Sequence, residues 1–160
     1  MMRAWMLGLA FAGLAGCHMS GTRNSATPVD ASADTLRGTF VLEGSDPMPV
    51  AVLRTAEGRV ELDGVPAAMR GLVQLDLWVR GAAEAGGRFR VAEFLVRGAG
   101  GEPARDGTVE RAGDDFALRL ADGTLHALLG VPADFGRLVG QRVWITETAA
   151  HTLASYGVIR

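Results

Sequence analysis

Lysine is missing from this chain: all of its 16 basic residues are arginine. The all-arginine usage reads as the coding bias of a GC-rich genome, although arginine also makes better bidentate contacts than lysine. Cysteine occurs once, at Cys17, so no disulfide can form within the chain. The three histidines, His18, His126 and His151, show no helical metal-ligand spacing, and no second cysteine joins them, so neither a metal centre nor a cofactor is expected. Serine is scarce beyond the N-terminal third, and there is no Gly-x-Ser-x-Gly elbow and no glycine-rich phosphate loop leading into a helix. An enzyme is therefore not expected. The acidic pairs and singles near glycine, Asp114-Asp115 and Asp106, read as turn formers.

What is present begins at the first residue. The segment MMRAWMLGLAFAGLAGC has one charge, Arg3, then an apolar run from Ala4 to Ala15 and small residues at its end. That is the layout of a secretory signal, and the run is too short for a stable membrane span of roughly 20 residues. Leu14-Ala15-Gly16-Cys17 resembles the lipobox of bacterial lipoproteins. The resemblance implies that residues 1–16 are removed and that the Cys17 thiolate is alkylated, leaving the membrane as a partner through its acyl chains. Each buried CH₂ contributes about 0.8 kcal/mol, so several chains anchor stably. His18, rather than Asp, follows the cysteine. In a Gram-negative host the resemblance then implies the outer membrane, facing the periplasm. Loss of Arg3 with the leader moves the formal charge from −2 to −3. That balance is too mild to argue for a nucleic-acid partner, and none is expected of an extracytoplasmic protein.

Residues 17–36 are small and polar with no apolar period, as expected of a flexible tether. A second polar, glycine-rich stretch, residues 98–106, reads as a linker between two pieces, 37–97 and 107–160.

The two pieces share a text. Gly64-Val65-Pro66-Ala67 returns as Gly130-Val131-Pro132-Ala133, an offset of 66. At that offset Leu72-Val73 meets Leu138-Val139, and Leu77-Trp78-Val79 meets Val143-Trp144-Ile145. Small shifts at loops align Leu53–Gly58 with Leu118–Gly123, Gly38-Thr39 with Gly107-Thr108, and Val96-Arg97 with Ile159-Arg160. Ordered matches that include a rare tryptophan predict an internal duplication.

Each copy carries the same succession of elements. Strands are predicted at Gly38–Leu42, Val50–Thr55 and Arg59–Leu62, then a helical turn at Ala67–Arg70, then a strand in which Val73, Leu75, Leu77 and Val79 alternate with polar neighbours, and a last strand at Arg88–Arg97. The second copy gives Gly107–Glu110, Phe116–Leu120, Thr124–Leu128, a helical turn at Ala133–Leu138, Gln141–Thr146 and Thr152–Arg160. Acidic-glycine turns, Ala56-Glu57-Gly58 and Ala121-Asp122-Gly123, join the second strand to the third. The fold class is all-β. Five strands with a helix between the third and fourth resemble the OB-fold, so two tandem five-stranded barrels are expected.

The candidate binding residues follow from that arrangement. Trp78 and Trp144 should face away from Leu77 and Val143, either as partner-binding anchors or packed between the units. The OB-fold resemblance implies a binding face with Arg54, Arg59, Glu61 and Asp63 in the first unit and Arg119, Thr124 and His126 in the second. The expectation is a non-enzymatic binding or interaction module for an envelope protein, glycan or other envelope component. The alternatives are a structural subunit of an envelope assembly, or an enzyme or metal-handling protein with a site between the units.

Overall fold

The computed structural model describes residues 34–45 and 47–160. The signal segment 1–16, Cys17 and most of the predicted tether lie outside the described residues. The described residues form one compact unit, which is all-β apart from two short helical turns.

Alternating apolar residues build the strands. In order these are β1 (Asp34–Glu43), β2 (Val50–Thr55), β3 (Gly58–Asp63), the helical turn α1 (Ala67–Arg70), β4 (Leu75–Ala83) and β5 (Arg88–Ala99). Then follow β6 (Glu102–Ala112), β7 (Asp115–Arg119), β8 (Leu125–Leu128), a 3-10 turn at Phe135–Leu138, β9 (Arg142–Glu147) and β10 (Leu153–Val158).

The first five strands pair in a closed circuit. β1 pairs antiparallel with β2 and β4, β2 with β3, and β4 with β5, while β3 and β5 run parallel and complete the ring. The second five repeat the plan. β6 pairs with β7 and β9, β7 with β8, and β9 with β10. A parallel bridge between Leu129 and Thr152 brings the end of β8 to the start of β10, where the Leu153 N–H donates to the Leu129 carbonyl at 2.8 Å. Closing a ring in this way leaves few unpaired strand edges. Each ring has its own core: Phe40, Leu53, Met69, Leu77 and Val79 in the first, and Val109, Leu118, Phe135, Val143 and Ile145 in the second.

The sequence repeat is also a backbone repeat. Met69 N–H donates to the Pro66 carbonyl at 3.0 Å, and Phe135 N–H to the Pro132 carbonyl at 3.0 Å. Met69 and Phe135, 66 positions apart, are the fully buried side chains that the two helical turns push into their cores. Cross-strand registers coincide as well: Gly38 faces Leu77 and Thr39 faces Arg54, just as Gly107 faces Val143 and Thr108 faces Arg119. Gly64 and Gly130 share positive φ values of 63° and 67°.

Gln74 and Gly140 match in the same way. Both adopt left-handed backbone, at φ 70° and 81°, and their N–H groups donate at 2.8 Å to Phe40 and Val109. A left-handed non-glycine residue costs roughly 1–2 kcal/mol, less the extra chain entropy that glycine loses on folding. Gln74→Gly is therefore expected to stabilise the protein by about 0.5–1 kcal/mol, read as a higher denaturant midpoint with unchanged slope.

Several expectations are corrected. Residues 98–106 are not a linker. Gly98-Ala99 end β5, Gly100-Gly101 turn with φ 62° and 85°, and β6 has already begun at Glu102. The chain thus passes from one ring to the other along a continuous hairpin, in which Gly98 faces Pro103 and Ala99 faces Glu102. The tether does not reach Leu36, because β1 starts at Asp34 and pairs at once with Gly81. Val73 does not open the alternating strand; it is exposed in a turn, and Leu72 is buried in its place. Register aligns Val96, opposite Leu77, with Val158, opposite Val143, one position earlier than the text match suggests. Asp106 is a strand residue and not a turn former.

Candidate functional site

Asp106 is where the two rings are fastened. It lies on β6, and its side chain is 1% exposed. Its Oδ1 accepts the Val96 N–H of β5 at 2.9 Å. Its Oδ2 accepts from Arg142 of β9, through Nε at 2.9 Å and also through Nη2. Arg142 Nη2 donates further to the Phe94 carbonyl at 2.7 Å, and its guanidinium lies 4.5 Å from the Phe94 ring centroid. One ion pair, buried at its carboxylate end, thus ties a wall of the first ring to two strands of the second, with one carboxylate oxygen taking both Arg142 donors and the other the backbone N–H.

Clefts open beside this fastening. One, of about 330 Å³, includes Leu95, Arg97, Arg105, Leu120 and Asp122 in its lining. A second, of about 440 Å³, shares Arg97 and Arg105 and continues to Glu147 and His151. A smaller one, of about 150 Å³, shares Leu95 and reaches Trp78, Arg80 and Glu93. Leu95 lines the first and third of these clefts and Arg97 and Arg105 the first and second, so the three are neighbouring parts of a broken groove on the outer face of β4 and β5 and along the junction.

The head of the groove is Trp78. Leu77 and Val79 point into the core, so period-two alternation turns Trp78 outward, half-buried. Arg37 on β1, its direct cross-strand partner, places its guanidinium 4.0 Å from the ring centroid. Arg97, on β5 at the other side, sits 4.8 Å away. Arg37 and Arg97 make no ion pair with a carboxylate among the described residues.

Trp144 occupies the equivalent position but a different setting. It faces Asp106 on one side and Gly157 on the other, and it packs against the first ring's core. A Cβ at Gly157 would stand 2.5 Å from Trp144 Nε1, so the indole covers that glycine closely. Of the two tryptophans, Trp144 is the packing residue and Trp78 the one set on a cleft.

The remaining sequence candidates are dispersed. Arg54 and Arg59 both bind Glu43, at 3.0 and 2.9 Å, and hold its carboxyl below the usual carboxylate range, Arg59 most strongly. Arg119 binds Glu110 and lowers that carboxyl in the same manner, chiefly by its hydrogen bonds. Glu61 faces Arg88 across the parallel β3–β5 pair, and Asp63 lies 3.6 Å from Arg88. Thr124 closes the β7–β8 turn, its N–H donating to Asp122 at 2.9 Å. His126 meets Glu147 at 2.8 Å, with Arg105 on the other carboxylate oxygen at 3.6 Å. Asp114 and Asp115 sit at the β6–β7 turn. No group of three or more His, Cys, Asp or Glu among the described residues is placed to hold a metal ion.

Sequence reasoning missed Arg37, Arg97, Arg105, Arg142 and Asp106. The available signal was register: once Gly38 faces Leu77, Arg37 must face Trp78, and by the repeat Asp106 must face Trp144. Comparison with protein-family models, curated proteins and solved structures finds no match for this chain.

Proposed function

We propose that the protein is a lipid-anchored envelope component built of two tandem OB-like barrels, and that it works by binding rather than by catalysis. The barrel reading is supported by two circuits of five strands with a helical turn between the third and fourth. The parallel contact of third with fifth strand is the closure that this topology requires. Anchoring rests on Leu14-Ala15-Gly16-Cys17, with Cys17 as the acylated residue. An outer-membrane position facing the periplasm follows from His18 in a Gram-negative host.

One observation carries the binding reading: a half-exposed indole at the head of a groove, with a guanidinium from the strand on either side. A rigid aromatic with pre-positioned arginines is the composition of interaction hot spots, because little side-chain freedom is lost on contact. The partner is a protein, glycan or other envelope component.

Trp78→Ala is expected to abolish capture of the partner from detergent-solubilised envelope, while Trp144→Ala lowers stability instead. Recovery of the same partner at wild-type yield by Trp78→Ala would reject the reading. Cys17→Ser is expected to remove acyl labelling altogether, and label that persists in this variant refutes the anchor.

A further inference from the structure

We infer that the groove beside Trp78 is a binding site for a phosphate monoester or pyrophosphate group, gripped by Arg37 and Arg97. The inference rests on the reading of this groove as the ligand face and adds the chemistry of what enters it.

Of the fourteen arginines among the described residues six hydrogen-bond a carboxylate, and among the others Arg37 and Arg97 stand apart in sharing one ring. Arg54, Arg59, Arg80, Arg90, Arg119 and Arg142 each reach a carboxylate within hydrogen-bonding distance. Arg37 and Arg97 do not, yet both lie within 5 Å of one indole centroid, at 4.0 and 4.8 Å. Two like charges gathered at one ring repel. The ring quadrupole holds each cation, but folding does not require a second one there. Arg97 Nη1 donates to the Val96 carbonyl at 3.4 Å, and the remaining N–H groups of the two guanidiniums are of the kind that match phosphate oxygens in bidentate fashion. A doubly charged oxyanion uses both guanidiniums, whereas a single carboxylate is neutralised by one. Arg105 lines the same cleft as Arg97, its charge shared with Glu147 at 3.6 Å.

Two carboxylates line the cleft with Arg97, and because Asp106 is taken by Arg142, Asp122 is the one that opposes the anion. Asp122, in the β7–β8 turn, lines the cleft with Arg97. Its carboxyl is held below the usual range mainly by the Thr124 backbone N–H, with the Arg97 charge contributing. It is therefore ionised at neutral pH and competes for Arg97. Glu93 is already taken by Arg80, at 3.3 Å.

The test uses the full chain carrying Cys17→Ser, titrated calorimetrically with inorganic pyrophosphate at fixed ionic strength. A parallel arm uses vesicles of phosphatidylcholine with and without phosphatidic acid. Wild-type groove residues are expected to bind, and Arg37→Ala and Arg97→Ala each to weaken binding about tenfold or more. Asp122→Asn, which keeps an oxygen for Thr124, is expected to tighten binding severalfold, a gain that a damaged fold does not produce. This rank order on pyrophosphate alone assigns a soluble ligand; the same order on phosphatidic acid vesicles assigns a lipid headgroup. Binding in neither arm, or binding that is equal across the variants, overturns the inference. If Trp78→Ala still loses its envelope partner in that event, the groove remains the ligand face and only the phosphate assignment falls.

Discussion

Asp106→Ala is expected to destabilise the protein by about 2 kcal/mol, below the scale for a fully buried ion pair because the Arg142 side chain is 36% exposed and water can reach it. The substitution strips Arg142 Nε and Nη2 of the one oxygen they share and leaves the Val96 N–H of β5 without an acceptor. The melting temperature should fall by on the order of 10 °C for a folded unit of this size. Asp106→Asn is expected to cost less, because an amide oxygen still accepts one of the two donors. A paired replacement, Asp106→Leu with Arg142→Met, should recover part of the loss, since the uncompensated charge goes with its partner. A melting temperature within a degree or two of wild type for Asp106→Ala would show that the pair fastens nothing.

Gly107→Ala and Gly38→Ala form the second large prediction, and the two should behave alike. At each position the opening strand of the ring passes from one neighbour to the other. A Cβ on Gly38 would meet the Arg54 carbonyl oxygen far inside van der Waals contact, and one on Gly107 would meet that of Arg119. At Gly107 the added Cβ would also stand 2.9 Å from the Leu118 Cγ. The obstacles are backbone and core atoms, which cannot swing aside as a surface side chain does. Overpacking of this kind costs roughly 1–3 kcal/mol and more where the backbone must part. About 3 kcal/mol is expected for each, with loss of hydrogen-exchange protection along β1–β2 for Gly38→Ala and along β6–β7 for Gly107→Ala. A substitution that leaves the denaturant midpoint unmoved would mean that the strands lie farther apart than described.

These two predictions draw on different features of the chain. The glycine prediction was half written in the sequence, because Gly-Thr recurs at 38–39 and 107–108. What was hidden was the reason, the approach of one carbonyl oxygen from the next strand. The Asp106 prediction was concealed altogether. Its neighbours are Arg105 and Gly107, and an acidic residue beside glycine is the ordinary composition of a turn. Only pairing with Trp144 across β6 and β9 shows it to be a strand residue whose side chain is enclosed by the other ring.

The same contrast runs through the candidate site. Trp78 was found by phase: an apolar residue on either side faces the core, so the indole between them cannot. Arg37 and Arg97 lie 41 and 19 positions from Trp78 in the sequence, and nothing in their local surroundings marks them. Their meeting at one ring is a consequence of β1 and β5 flanking β4. Trp144 shows the limit of arguing from the repeat. Its position matches that of Trp78, yet its neighbours are Asp106 and Gly157 rather than Arg37 and Leu95. Equivalent backbone with different partners turned one indole to the groove and the other to packing.

By itself the sequence determined the all-β class, the order of the elements, the two acidic-glycine turns and the doubling of the unit. Each of these is a local property, set by the alternation of apolar side chains, by residues that accept left-handed backbone, or by direct recurrence of the text. The tertiary structure alone decided that residues 98–106 are strand instead of linker, that a buried carboxylate joins the rings, and which arginines reach Trp78. Those outcomes depend on contacts between residues far apart in the chain, and it is ring closure and strand register, not neighbouring sequence, that bring them within range.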